Sequence, residues 1–148
     1  MPKSQENNSK KIILVGGCFD ILHYGHVHFL REAKSLGDYL IIALESDKNI
    51  QRLKGAKRPI HNQNQRQEML ESLAFVDQVI VLADSMHDDD YKKLVLTVNP
   101  NIIAITKGDP MVDKKKSHAK EVNAEVIEIE KIDTPSTTQI AKILDIEV

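Results

Sequence analysis

The sequence holds one cysteine, Cys18, and no tryptophan, and aromatic residues make up only 4% of its 148 residues. A single cysteine excludes an internal disulfide framework and a multi-cysteine zinc site. So few aromatic side chains leave little on which unpaired bases can stack, which argues against a nucleic-acid-binding domain. An excess of charge is missing too: Lys plus Arg number 20 and Asp plus Glu 22, a formal net charge of −2. The chain as a whole therefore does not attract nucleic acid or anionic membrane, and any site for a polyanion has to be assembled locally. No apolar run reaches transmembrane length, and residues 1–10 are polar throughout, unlike a signal peptide. A cytoplasmic protein with no membrane or nucleic-acid partner is expected. What is present is 41% hydrophobic and 28% charged residues, enough to bury one core. The expectation is a disordered tail over residues 1–10 and a single domain over 11–148.

Two hydrophobic periods alternate along that domain. Short, continuously apolar runs read as strands buried on both faces: Ile12 to Val15, Tyr39 to Leu44, Val79 to Leu82, Ile102 to Ile105 and Val126 to Ile129. Between them lie helical stripes. The first runs from Gly25 to Leu36 with Phe29, Leu30 and Ala33 on one face, the second from Asn62 to Val76, the third from Tyr91 to Val98. A weaker one spans Lys114 to Val122, and a last one Ser136 to Leu144. This alternation predicts an α/β fold: a doubly wound, mainly parallel five-stranded sheet with helices on both faces. Ligands of such sheets bind beyond the carboxyl ends of the strands, so the loops at 17–25, 45–61, 106–113 and 130–136 are where function is expected.

The first of these loops carries the strongest pattern, Gly17-Cys18-Phe19-Asp20-Ile21-Leu22-His23-Tyr24-Gly25-His26. Two histidines three residues apart at a helix start can point the same way. The helix start adds unpaired N–H groups and a positive dipole end, and Gly25 would let a ligand approach the backbone. The chemistry that fits is stabilisation of charge on a phosphate. Metal ligation by His23 and His26 would need a third ligand, and His28 is expected to point away along the helix. Neither a G-x-G-x-x-G fingerprint nor a P-loop is present.

These residues resemble the H-x-G-H signature of the nucleotidyltransferase superfamily, which includes cytidylyltransferases and phosphopantetheine adenylyltransferase. Its second signature, I-S-T-T or similar at the start of the last helix, is matched by Pro135-Ser136-Thr137-Thr138. Cys18, Arg52-Leu53-Lys54-Gly55, Arg58-Pro59, Gln65-Arg66 and Val76-Asp77 most resemble the adenylyltransferase domain that activates heptose 1-phosphate for lipopolysaccharide precursors. Lys107-Gly108-Asp109 sits where that family has Lys-Gly-Gly-Asp, with one glycine missing and Pro110 following. FAD synthases of archaeal type share some of these segments. Glycerol-3-phosphate cytidylyltransferases usually carry R-T-x-G before I-S-T-T, where this chain has Lys131-Ile132-Asp133-Thr134. An arginine fork there would bind phosphate in two places and a lysine does so only in part, so ATP is favoured over CTP.

The resemblance implies transfer of a nucleoside monophosphate to a phosphorylated acceptor, with release of pyrophosphate. The non-enzymatic alternative is a nucleotide-binding module without catalysis. His23, His26 and Lys54 are the catalytic candidates. Gly17, Cys18, Phe19, Asp20, Gly25, Lys107, Gly108, Ser136, Thr137 and Thr138 are candidates for binding the nucleotide, the hydroxyl residues serving also as helix caps. Asp47, Lys57, Arg66 and Asp109 are candidates for the acceptor; read without the resemblance, Lys54 and Lys57 are solvated loop lysines and Arg66 is an exposed helix residue. Mg²⁺ is expected to be held mainly through phosphates, because no carboxylate cage is visible. Asp88-Asp89-Asp90 is better explained by the dipole of the following helix than by a metal, and Lys114-Lys115-Lys116 by an exposed face. By family habit, a homodimer is expected.

Overall fold

Residues 10–144 are described by a computed structural model. Residues 1–9, most of the expected disordered tail, lie outside the described residues. Five strands form the sheet: β1 (Ile12–Gly17), β2 (Tyr39–Leu44), β3 (Gln78–Val81), β4 (Ile102–Thr106) and β5 (Glu125–Ile129). All neighbours pair in parallel, in the order β3-β2-β1-β4-β5. The helices are α1 (Tyr24–Ser35), α2 (Asp47–Lys54), α3 (Gln63–Glu71), α4 (Asp88–Val98), α5 (Val112–Glu121) and α6 (Thr137–Ile143).

The continuous apolar strands exist because both faces are covered. Alternate residues of β2 serve different cores: Leu40, Ile42 and Leu44 pack with Leu30 and Ala33 of α1 and Leu70 of α3. Ile41 and Ala43 face the other way, with Val95 of α4 and Ala119 of α5. This is the doubly wound arrangement read from the sequence. Among the described residues, no helix is long and apolar enough to cross a membrane.

Several boundaries differ from the periodicity, each for a local reason. β1 continues through Gly16 and Gly17, because these pair in register with Ala43 and Leu44. The expected loop at 45–61 contains α2, capped by the Ser46 side chain, which accepts from the Asn49 N–H. Only Ile50 of that helix is buried, so it has no apolar stripe to read. α3 stops at Glu71, where the Ser72 hydroxyl donates to the Glu68 carbonyl and the chain tightens into three-residue bonds. α4 starts at Asp88, so the acidic run forms its first turn: Asp90 accepts from the His87 N–H, and Asp88 contacts His118 of α5.

A crevice at the sheet's switch point

β1 lies at the middle of the sheet, with β2 on one side and β4 on the other. The connections from β1 and β4 therefore leave in opposite directions, opening a crevice at their carboxyl ends. A cavity of about 360 Å³ occupies it. Its lining draws on Gly16 and Gly17 of β1, Ala104 to Thr106 of β4, the segment after β5 and the first residues of α1 and α6.

The start of α1 is built from the two histidines themselves. His23 is the N-cap, and its Nδ1 accepts from the Gly25 N–H at 3.0 Å. His26 reciprocates, its Nδ1 accepting from the His23 N–H at 3.3 Å. The rings stack with centroids 3.8 Å apart, and the Phe19 ring meets His26 edge-on at 5.2 Å. With both Nδ1 atoms accepting, the hydrogen-bond network assigns the proton of each neutral ring to Nε2. Burial, the neighbouring His23 and the Lys54 ammonium push His26 down to about 3. Burial and Lys54 also lower His23. At neutral pH the pair is two neutral imidazoles whose remaining hydrogen-bonding groups are Nε2–H donors, on rings that both line the cavity.

Gly25 lines the cavity and also makes room for the histidine ring. A Cβ there would stand 2.8 Å from His23 Cε1 and 3.2 Å from Thr134 Cγ2. Gly25→Ala is expected to displace His23 and lower turnover by about 10- to 100-fold. Steady-state kinetics check this, and wild-type turnover would contradict it.

Asp20 lines the cavity, and its carboxylate is also a junction. It is 2% exposed, and its carboxylate accepts from Arg58 Nε at 2.7 Å, Ile60 N–H at 2.8 Å and His61 N–H at 3.0 Å. Burial opposes its charge, but the His61 and Ile60 N–H groups and Arg58 outweigh that and hold its pKa below the usual range. Its backbone carbonyl accepts from the Thr137 hydroxyl. One residue thus ties the histidine loop, the 58–61 segment and the start of α6 together.

Arg66 is likewise neither an exposed helix residue nor free for an acceptor phosphate. It is 1% exposed, and its guanidinium donates to the carbonyls of His61, Cys18 and Glu45 and to the Asp47 carboxylate. Asp47 and Lys57 do not line the cavity, while Lys54, the last residue of α2, does. The Cys18 thiol lies half-buried in the lining, its pKa raised by burial against the opposing pull of Lys54.

On the far side, Ser136 and Thr137 line the cavity and Thr138 does not. Ser136 caps α6, accepting from the Gln139 N–H. Lys107 and Gly108 do not line the cavity; the exposed Lys107 pairs at 2.9 Å with Glu130, which does. Asp109 does line it, with both carboxylate oxygens engaged by Lys115 and by the Met111 N–H. The polar lining residues that sequence reasoning did not place in the site are His28, Thr106, Lys115, Glu130, Lys131 and Thr134. His28 was expected to point away, yet it lines the same cavity as His26. Among the described residues, no group of three or more His, Cys, Asp or Glu side chains is arranged to hold a metal ion.

A family model described as cytidylyltransferase-like matches residues 14–143. The bifunctional protein HldE of Campylobacter fetus is 38% identical over 135 residues, which are 91% of this chain and 28% of that protein. The HldE of Helicobacter pylori strain J99 is 44% identical over 110 residues, 74% of this chain and 22% of that protein. The chain thus spans about a quarter of the length of these curated relatives. The crystal structure of the lipopolysaccharide core biosynthesis protein from Thermoplasma volcanium matches with a TM-score of 0.71 at 30% identity, covering 84% of this chain and 99% of that one. The pantoate-beta-alanine ligase of Francisella tularensis shares the fold, with a TM-score of 0.58 at 19% identity over 85% of this chain and 61% of that one.

Proposed function

Because the chain belongs to the cytidylyltransferase-like family, we propose that it moves the adenylyl group of ATP onto the phosphate of a sugar phosphate of the heptose 1-phosphate type. A phosphate oxygen of the acceptor attacks the α-phosphorus in line. The bond from the α-phosphorus to the bridging oxygen breaks, and pyrophosphate leaves with the electron pair. Nothing in this exchange requires a covalent enzyme intermediate, so the protein's task is alignment and charge stabilisation.

The observation that carries the proposal is the reciprocal cap of His23 and His26. It leaves two neutral Nε2–H donors beside one another at a helix N-terminus, on a cavity that a second helix start also lines. Such fixed donors stabilise charge moving onto pyrophosphate without rearranging during the reaction. Lys54 is assigned to the α- and acceptor phosphates, and the Ser136 hydroxyl, which accepts from the Gln139 N–H and keeps its own proton to donate, with the N–H groups at the start of α6 to the outer phosphates, while the Thr137 hydroxyl holds the Asp20 carbonyl. With no cluster of protein ligands among the described residues, and with the Asp20 carboxylate consumed by Arg58 and two N–H groups, Mg²⁺ is assigned to the substrate, entering on the nucleotide phosphates. The names of the relatives, HldE and a lipopolysaccharide core biosynthesis protein, support the sugar phosphate over flavin or glycerol acceptors.

Pyrophosphate release tests this with ATP and CTP, each against heptose 1-phosphate, glycerol 3-phosphate, flavin mononucleotide and phosphopantetheine. Release is expected with ATP and heptose 1-phosphate. Release with CTP alone overturns the donor, release with another acceptor overturns the acceptor, and none in any pairing leaves a binding module.

A further inference from the structure

Val112 and Ala119 of α5 pack with the sheet, and Lys115 falls between them by helical spacing. Lys114 and Lys116 on either side are exposed, whereas the Lys115 side chain retains only 32% exposure. An inward lysine at such a position needs a partner. It has one in Asp109, 14% exposed and 2.6 Å from Nζ. The second Asp109 oxygen is fixed by the Met111 N–H, so the carboxylate cannot swing away without breaking the start of α5. Asp109 accounts for one of the three N–H groups on the ammonium. Both residues line the cavity, Asp109 from the turn after β4 and Lys115 from α5.

β4 and the segment after β5 supply apolar lining too, Ala104, Ile105 and Ile132 with Thr106 at the strand end, in addition to that from Phe19 and Phe29. A flat heterocyclic base needs such a surface together with a few fixed polar groups. A small sugar phosphate has no apolar face to bury there. We propose that Lys115, positioned by Asp109, donates hydrogen bonds to the nucleoside part of the triphosphate and sets how tightly the nucleotide binds. In this role Lys115 touches substrate and Asp109 acts through it. The inference rests on the nucleotidyltransferase reading above and adds to it a binding residue on the nucleoside side.

Equilibrium binding of ATP in the presence of Mg²⁺, measured by calorimetry, tests it without requiring turnover. Lys115→Met is expected to weaken ATP about 10-fold, Asp109→Asn about 3- to 10-fold, and Lys115→Arg to restore most of the loss. In steady state the same change is expected in the KM for the nucleotide, with kcat and the acceptor KM within about 3-fold of wild type. Thermal melting of each variant separates lost contact from lost fold, and Asp109→Asn keeps an oxygen for the Met111 N–H should Lys115→Met melt early. ATP affinity unchanged in a folded Lys115→Met protein overturns the inference and leaves the reaction standing. A rise in the acceptor KM alone overturns it too. A wild-type protein that binds no nucleoside triphosphate overturns both readings.

Discussion

His26→Ala is expected to lower kcat by about 10²-fold or more while ATP affinity stays within a few-fold of wild type. A donor aimed at charge that develops during transfer contributes little before the charge appears. The alanine also removes the acceptor for the His23 N–H, half of a reciprocal cap, and so costs about 1 kcal/mol of stability. His26→Asn separates the two effects. An amide oxygen can still accept from the His23 N–H, but the asparagine has no Nε2–H at the reach of imidazole. Both variants are expected to lose turnover, and only the alanine to lose the cap.

Since His26 is pushed down to about 3, it stays neutral at every pH at which the enzyme is assayed. No limb of the rate profile near pH 6.5 is expected to belong to it. A limb there that His26→Ala abolishes would show that the imidazolium is the working form. The stability consequence has a definite sign. Below the ordinary value of 6.5 the unfolded histidine takes up a proton that the folded one refuses, so stability present above pH 6.5 falls as the pH drops toward 3.

The second large effect is expected from Asp20→Asn. Its carboxylate holds the side chain of Arg58 through Nε, in a guanidinium 1% exposed whose Nη1 and Nη2 have no hydrogen-bond partner among the described residues. Removing the charge strands a buried cation, a change that costs about 3–5 kcal/mol. In a chain of this length the melting temperature should fall on the order of 10 °C. A loss under about 1 kcal/mol in denaturant titration would refute the junction. The pH dependence follows from the lowered carboxylate: the stabilisation is complete above the ordinary carboxylate value of 3.8 and is lost as the pH falls through the lower folded value. Turnover should fall as well, because the histidine loop and α6 meet at this residue.

The fold was legible because apolar strands covered on both faces leave a continuous mark in the sequence, and the comparisons agree with the family that the motifs at 17–26 and 135–138 suggested. The histidine pair was legible for a related reason: capping needs particular spacings, and His23 and His26 cap each other. Residues whose meaning depends on a distant partner were not legible. Arg66 reads as a surface arginine until four acceptors from 18, 45, 47 and 61 surround it. Asp20 shows nothing in the sequence of the residues about 40 positions away that fill its oxygens. Lys115 had a local signal, its place between Val112 and Ala119 on α5, but two neighbouring lysines made the segment look uniformly solvated. α2 buries one side chain, too little to set a period.

The ladders of the sheet are unequal. β1 and β2 share six register pairs, whereas β1 and β4 share two, Ile13 with Ile102 and Leu14 with Ile103. The switch point is therefore also a mechanical seam between a three-stranded and a two-stranded half, held by the fewest rungs directly beneath the cavity. A ligand that touches the end of β1, Lys54 and the β4 side at once acts as a staple across this seam. Part of its binding energy then resists separation of the halves, and the protein gains rigidity where its own backbone supplies least.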